Sequence, residues 1–80
     1  MSVYPNPAST YINLNVVLQQ PQPIDVFVYN SANLLVKDRH QAGVTGNNLI
    51  TLAIGDLAPG YYVVKVIYGN SVCYSRFLKL

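Results

Sequence analysis

The side chains that could carry acid–base or nucleophilic chemistry are few and scattered. His40 is the only histidine, and it stands two residues after Asp38 in a polar segment that contains glycine. The chain has no glutamate, and no serine lies in the Gly-x-Ser-x-Gly turn that presents the nucleophile of many hydrolases. Since no nucleophile, base and orienting acid fall together, we predict a solvated His40 and a chain that is not an enzyme.

Metal ligands are equally sparse. His40 and Cys73, one imidazole and one thiol, cannot fill the four-ligand shell of a structural zinc ion. The aspartates at positions 25, 38 and 56 lack the clustered spacing of a calcium loop. Neither a metal nor another cofactor is predicted. Cys73 has no second cysteine with which to form an internal disulfide, so we interpret it as a small strand residue.

Composition indicates a folded domain of low charge. Hydrophobic residues make up 51% and charged residues 10% of the 80 residues, which excludes a disordered chain. The five Lys and Arg residues are spread singly and leave a net charge of +2, so neither nucleic acid nor an anionic lipid surface is a predicted partner. No apolar run approaches the roughly 18 residues of a membrane span, and the amino terminus does not resemble a secretory signal peptide.

The segment Asp56–Val66 organises the rest of the chain. Pro59 and Gly60 form a turn into a strand, and an apolar residue, a Pro-Gly turn and a following Tyr are typical of the tyrosine corner of immunoglobulin-like sandwiches. We predict that Tyr62 is buried there and that Leu57 fills the core beneath the corner. Alternation along a strand puts Tyr62, Val64 and Val66 on one face and Tyr61, Val63 and Lys65 on the other.

The same alternation predicts further strands and no helix. We place them at residues Ser9–Leu18, Ile24–Tyr29, Leu34 to about Arg39, Leu49–Ile54 and Val72–Leu80. Six or seven short strands in one small domain predict an all-β fold, a small immunoglobulin-like antiparallel β-sandwich. The residues expected to face its core are Ile12, Leu14, Val16, Leu18, Ile24, Val26, Val28, Ile50, Leu52 and Ile54.

Turn residues divide these strands. Two prolines make the opening segment Tyr4–Ala8 extended, and the amides of Asn30–Asn33 suit a turn that tolerates positive φ. Gly69 and Asn70, within Tyr68–Ser71, fit a two-residue hairpin. His40–Asn47, with two glycines and no apolar periodicity, is predicted to be the longest and most mobile loop.

A sandwich this small leaves edge strands with unpaired backbone groups, and either the first or the last predicted strand is expected at an edge. The charges of the last strand are Arg76 and Lys79, which we interpret as protection against aggregation. The alternative is that a partner pairs with this edge by strand addition. Two copies pairing into an edge-strand homodimer is a further expectation.

Seven tyrosines offer a second kind of surface, because a Tyr ring can stack on a sugar or a protein partner. Tyr62 is assigned to the core, and Tyr29, Tyr61 and Tyr74 to packing on the sheet face. The remaining tyrosines, Tyr4, Tyr11 and Tyr68, are the candidates for exposure. This pattern supports an alternative function, a non-catalytic immunoglobulin-like or fibronectin-like module that binds glycan or protein or spaces other domains.

Taken in order, the motifs resemble the C-terminal sorting domain of the type IX secretion system, in the type A form of the Por secretion system family. The resemblance covers nearly the whole chain, and its motifs keep the order and the spacing of the family. They are Tyr4-Pro5-Asn6-Pro7-Ala8-Ser9 with Leu14, Val26-Phe27-Val28-Tyr29-Asn30, Leu34-Leu35-Val36, Gly46-Asn47-Asn48, Leu57-Ala58-Pro59-Gly60-Tyr61-Tyr62-Val63-Val64-Lys65-Val66, and Gly69 with Arg76-Phe77-Leu78-Lys79-Leu80.

The resemblance implies a transport signal rather than a catalyst. Family members follow an N-terminal passenger, and the outer-membrane machinery of type IX secretion, with its receptor or shuttle, recognises the sorting domain. A sortase-like protease usually removes it. The implied location is the periplasm during transit, then the medium or the cell surface of a Gram-negative bacterium. The implied recognition and motif residues are Pro5, Asn6, Pro7, Leu57, Pro59, Gly60, Tyr62, Gly69, Arg76, Phe77 and Lys79.

The resemblance also sets the expected boundaries. Residues 1–3 are interpreted as a linker or cloning remnant and residues 4–80 as the sorting domain, excised from a longer protein; a complete small protein is the alternative. The chain departs from the family pattern at two positions. Asn33 stands where a Gly is common, a change that the positive-φ tolerance of Asn can absorb, and Leu80 stands where a basic or polar residue is usual.

Overall fold

Seven strands and no helix make up the computed structural model, which covers residues 1–80. A three-stranded sheet, β1-β2-β5, packs on a four-stranded sheet, β4-β3-β6-β7, and all neighbouring strands pair antiparallel. The predicted small antiparallel β-sandwich is confirmed. The strands are β1 (Val3–Tyr4), β2 (Tyr11–Leu18), β3 (Gln22–Tyr29), β4 (Leu35–Gly43), β5 (Gly46–Ala53), β6 (Gly60–Tyr68) and β7 (Ser71–Lys79).

The core lies between the two sheets and follows from the alternation of side chains along β2, β3, β5 and β6. Each of these strands buries every second residue and turns the others outward. All the residues expected to face the core are buried, as are Val64 and Val66 of β6. Full burial of one such aliphatic side chain stabilises the fold by about 1.5–3 kcal/mol.

The prediction that His40–Asn47 forms a long loop is wrong. Its first four residues continue β4 and pair with Gln22–Asp25 of β3, and its last two belong to β5. Only Val44–Thr45 connects the strands. β4 is an edge strand, and most of its residues are exposed. The strand is therefore held by main-chain pairing with β3, and its sequence lacks the apolar periodicity of a half-buried strand.

The crossing from β4 to β5 is held by a buried side chain, Asn48. Its Nδ2 donates to the main-chain oxygens of Val16, Val44 and Gly46 at 3.1, 2.9 and 3.1 Å, and its Oδ1 accepts from the Val44 N–H at 2.9 Å. Gly46 has a φ of 95°, a region that favours glycine. This amide therefore turns the chain from one sheet to the other.

Two basic side chains of β4 close the same side of the sandwich. Arg39 donates to the main-chain oxygen of Thr51 in β5 at 2.8 Å. Lys37 forms an ion pair with Asp56 at 2.9 Å, just before the turn into β6. The edges of the two sheets are thus linked by side chains where no strand ladder joins them.

Both predicted turns are present. Asn33 has a φ of 64°, and Asn30 Oδ1 accepts from the N–H groups of Ala32 and Leu34. In the β6–β7 hairpin Tyr68 pairs with Ser71, and Gly69 has a φ of 56° whereas Asn70 has no positive φ. Glycine with positive φ at the first central position is the pattern of a type II′ turn.

The amino-terminal residues join the sandwich earlier than expected. Val3 is buried and pairs with Leu14 of β2, so the sandwich includes a residue that the expected division assigned to a remnant. After β1 the chain leaves the three-stranded sheet through Pro5 and Pro7, both preceded by cis peptide bonds, and crosses to the other sheet.

Candidate functional site

The tyrosine corner lies where the sequence predicts it. Tyr62 is 5% exposed, and its hydroxyl donates to the main-chain oxygen of Ala58 at 2.5 Å. Its ring stacks on Phe77 of β7, with centroids 5.4 Å apart and planes at 17°. The corner therefore supports the terminal strand as well as the turn before β6.

The residues around this corner have architectural roles. Leu57 is partly buried against the core and donates its N–H to the Ile54 oxygen at 3.0 Å. Gly60 has a φ of 149°, where a side chain would be strained although no atom lies near its Cβ position. Pro59 precedes this glycine and fixes its own φ. These residues shape the turn that delivers Tyr62 to the core.

The terminal strand β7 lies at an edge of the four-stranded sheet, and β6 is the only strand that pairs with it. The strand at Tyr11–Leu18 is not an edge, because it lies between β1 and β5. Phe77 is buried, and Arg76 is exposed with its guanidinium 5.9 Å from the centroid of the Tyr61 ring. One expected recognition residue therefore points inward and its neighbour points out.

Lys79 is not the exposed protective charge that we expected. It is 7% exposed because it shares the inward phase of β7 with Phe77. Its Nζ donates to the main-chain oxygen of Leu80 at 2.8 Å. The long aliphatic stem covers apolar surface at the end of the sandwich while the ammonium reaches a polar atom. Arg76 is then the one exposed charge on β7.

The opening motif covers part of the β7 edge. Ala8 forms a parallel bridge with Lys79, in which the Ala8 N–H donates to the Leu78 oxygen and its oxygen accepts from the Leu80 N–H, both at 2.8 Å. Asn6 Oδ1 accepts from the Leu78 N–H at 3.0 Å, and Asn6 Nδ2 donates to the Arg76 oxygen at 3.3 Å. Two motifs about 70 residues apart thus form one surface.

The remainder of the β7 edge is open. In an antiparallel ladder alternate residues direct their N–H and C=O groups away from the paired strand. Leu78 and Leu80 do so toward Ala8, and Tyr74 and Val72 have the same phase. No group of the chain bonds to the outward main-chain atoms of these two residues; Tyr74 is 65% and Val72 48% exposed.

The solvent exposure of the tyrosines differs in part from the prediction. Tyr61 and Tyr74 are exposed, whereas Tyr68, expected to be exposed, packs partly against the core. Tyr4 and Tyr11 are exposed as expected. On the outer face of the four-stranded sheet lies a shallow groove of about 280 Å³, lined by Tyr29, Asn33, Val63, Lys65 and Tyr74.

His40 lies on β4 between two carboxylates rather than in a loop. Its Nδ1 is 2.7 Å from Asp25 Oδ1 and its Nε2 is 3.2 Å from Asp38 Oδ2, while Phe27 meets the ring edge-on at 5.6 Å. The hydrogen bond to Asp25, and then that to Asp38, raises the pKa of His40. Because both ring nitrogens face carboxylates and no hydroxyl or thiol contacts them, this cluster is an ion-pair bridge between two strands.

Two other groups have perturbed pKa values with local causes. The hydrogen bond from Lys37 lowers the pKa of Asp56. The Cys73 thiol, 3.8 Å from the Tyr68 hydroxyl, raises the pKa of Tyr68. No group of three or more His, Cys, Asp or Glu side chains is placed to hold a metal ion. No helix in the fold is long and apolar enough to cross a bilayer.

The structure therefore brings some of the expected recognition residues together in two layers at one end of β7, whereas Gly69 lies in the hairpin at the other end of the strand. Tyr62 and Phe77 form a buried support, and Asn6 and Arg76 lie above it at the sheet edge. Sequence reasoning missed the contact between Asn6 and β7, because no local pattern reveals a partner 70 residues away. It also missed the structural role of Asn48. The available signal was a carboxamide side chain close to two glycines, Gly43 and Gly46.

Comparison with known families gives one finding. The family model described as "Secretion system C-terminal sorting domain" matches residues 2–79, nearly the whole chain. No curated protein and no solved structure matches the chain.

Proposed function

This chain belongs to the family of C-terminal sorting domains of type IX secretion. From that premise we propose that it directs an N-terminal passenger across the outer membrane and is then removed by a sortase-like protease. Membership itself implies a sorting signal for export through the outer membrane of a Gram-negative bacterium. Passage through the periplasm, the final release to the medium or cell surface, and the cleavage are the parts that we propose.

The observation that supports recognition through the terminal strand is the open edge of β7. Tyr74 and Val72 present unpaired main-chain groups, and an extended segment of a receptor can pair with such an edge by strand addition. Arg76 offers the only exposed charge on this strand. We assign direct contact to these outward residues, and support of the strand to Phe77, Lys79 and Tyr62.

The other motif residues receive supporting roles in this proposal. Gly69 makes the tight hairpin that leads into β7. Pro59 and Gly60 shape the tyrosine corner at the other end of the β6–β7 ladder. Pro5 and Pro7 flank Asn6, which holds the opening segment against the terminal strand. The recognition motif is then a surface assembled by the fold rather than a linear tag.

The experiment that tests this function is export of a fluorescent passenger fused ahead of the 80-residue chain and behind a periplasmic signal peptide. We expect export in a host with a working type IX system and retention in the periplasm of an otherwise identical host without it. Deletion of residues Gly69–Leu80 removes β7 and should also cause retention. Equal export with and without the machinery, or after the deletion, would overturn the proposal.

A second candidate function rests on the groove between Tyr29, Lys65 and Tyr74. Two tyrosine rings, an amide from Asn33 and a cation beside them are suited to stacking on a sugar and bonding its polar groups. A glycan array probed with wild type and Tyr74→Ala tests it. Binding that the variant loses, together with export that the variant retains, would favour a glycan-binding module.

The same open edge supports a homodimer as a further proposal. Two copies of β7 would pair through the outward groups of Val72 and Tyr74. Sedimentation at rising protein concentration tests this pairing. We expect a dimer in wild type and a monomer in Tyr74→Pro, which lacks one outward N–H; identical behaviour would contradict edge pairing.

A further inference from the structure

Part of the β7 edge already holds residues 6–8, which we call the cover segment. The prediction that Tyr4–Ala8 is extended is wrong for its middle, because the chain bends at residues 5–7 and only Ala8 forms a bridge to β7. The cover segment lies beside Arg76–Leu80 and forms four hydrogen bonds with main-chain groups of β7. Two of these come from the main chain of Ala8 and two from the side chain of Asn6. An incoming strand would form bonds of the same kind at the same atoms.

The cover segment pairs less completely than a strand would. Ala8 directs both its N–H and its C=O toward β7, so Asn6 is the next residue in the phase that faces the edge, yet the main chain of Asn6 makes no bond to β7. The carboxamide of Asn6, with one acceptor and one donor, bonds there instead. Asn6 is exposed, and its two bonds lie at the surface. The two bonds of Asn6 therefore open with low free energy. Ala8 is 1% exposed and belongs to the core, so the Ala8 end of the segment leaves only when a partner strand replaces its contacts.

We propose that the cover segment is a displaceable occupant of the docking edge, and that strand addition along the whole of β7 by an extended segment of a partner removes it. This inference rests on the proposed recognition through β7. With the cover segment in place, a partner strand reaches only the outward groups from Val72 to the N–H of Arg76. Once residues 6–8 leave, the whole strand up to Leu80 becomes available.

Displacement has a consequence at the other end of the domain. The chain before the cover segment is held by β1, in which Val3 and Tyr4 pair with Leu14 and Asn13 of β2. Once the cover segment has left, the pairing of β1 with β2 is the only strand pairing that still holds the residues before Asn6. Docking at β7 therefore loosens the region where passenger and sorting domain join, so that recognition precedes and permits cleavage there.

The first test measures the hold of the cover segment by amide hydrogen exchange in the 80-residue chain. Asn6→Ala should raise exchange of the Leu78 and Leu80 amides by about tenfold or more while the amide of Val64 in β6 stays unchanged. Asn15→Ala is the matched control, since Asn15 is exposed on β2. Unchanged exchange at Leu78 and Leu80 in Asn6→Ala would overturn the assignment of a separate, opening cover segment.

The second test measures export of the passenger fusion over time in a host with a working type IX system. Asn6→Ala should be exported several-fold faster than wild type and Asn15→Ala, because less must be displaced on docking. Export of Asn6→Ala at the wild-type rate would overturn the proposal. Slower export would overturn it as well and would assign Asn6 to the surface that the partner contacts.

Two controls separate this result from other failures. If wild type is not exported in a machinery-dependent manner, the proposed function fails and the exchange data alone decide whether the cover segment opens. If Asn6→Ala does not fold, as judged by exchange of Val64, Asn6→Asp replaces it. That variant keeps the acceptor for the Leu78 N–H and loses the donor to Arg76, so its export should lie between wild type and a fully loosened cover; export at or below the wild-type rate would again overturn the proposal.

Discussion

At the level of single residues, Tyr62 connects the turn before β6 to the core and to β7. Its hydroxyl bonds the turn at Ala58 and its ring stacks on Phe77. These two contacts can be removed separately. Loss of the ring leaves a cavity beside Phe77, whereas loss of the hydroxyl leaves packing intact and one main-chain oxygen without its partner.

Tyr62→Ala should therefore lower the free energy of unfolding by about 3–5 kcal/mol, as for other buried aromatic truncations. Tyr62→Phe should lower it by about 1 kcal/mol, the contribution of one hydrogen bond. Urea unfolding of the two variants and wild type measures both values. Near-equal stability of wild type and Tyr62→Ala would show that the corner does not support the fold.

His40 gives a pH dependence whose sign follows from its raised pKa. A pKa above the value of 6.5 means that folding favours the protonated ring, held between Asp25 and Asp38. This stabilisation is complete below pH 6.5 and is lost as the pH rises through the folded-state pKa. Melting temperature of wild type should therefore fall as the pH rises above about 6.5.

His40→Asn is the control for this titration. The variant cannot carry the proton, so its melting temperature should change less over the same rise in pH. A decline of the same size in both proteins would assign the pH dependence to other groups.

Gly43 is required by close packing rather than by a turn. A Cβ at this position would clash with Leu18 Cδ1 and would lie 2.6 Å from the main-chain oxygen of Gln22. Gly43→Ala should destabilise the fold by about 1–3 kcal/mol, because a backbone atom cannot move aside easily. Gly55→Ala is the matched control, since its nearest atom would be 3.9 Å away. Equal unfolding midpoints of the two variants would contradict this account.

At the level of elements, alternation was sufficient wherever a strand has one buried face. The inward aliphatic residues of β2, β3, β5 and β6 were all identified, because burial of one face imposes a period of two. Asn48 of β5 and Tyr68 of β6, which also face inward, were not. The second half of β4 was missed since most of its side chains are exposed and its order comes from pairing with β3. Pairing with a distant strand leaves no local pattern in the sequence.

The β4–β5 crossing depends on Asn48 in a way that substitution can measure. Asn48→Ala removes four hydrogen bonds around a buried amide and should lower the free energy of unfolding by about 2–4 kcal/mol. Asn47→Ala is the control, because Asn47 is exposed and its side chain makes no hydrogen bond within the chain. Comparable unfolding curves for the two variants would show that Asn48 does not hold the crossing.

At the level of the whole molecule, the fold places the opening and terminal motifs on one side. Motif order in the sequence was enough to predict the family, and strand alternation was enough to predict the sandwich. Neither was enough to predict that Asn6 bonds to β7 or that Lys79 is buried. The first depends on how the two sheets pack, and the second on the phase in which β7 enters its ladder, which the hairpin at Gly69 and Asn70 sets.

The central claim is that the outward backbone of β7 is what the secretion machinery binds, and substitution at Tyr74 tests it most directly. Tyr74→Pro removes one N–H that points away from β6 and leaves the β6–β7 ladder intact, a change that edge strands tolerate. Tyr74→Ala removes the side chain and keeps the N–H. Both are measured as export of the passenger fusion by a host with a working type IX system, after thermal unfolding shows that both are folded. We predict that Tyr74→Ala is exported like wild type and that Tyr74→Pro is retained in the periplasm. Equal export of the two variants would contradict recognition through this edge.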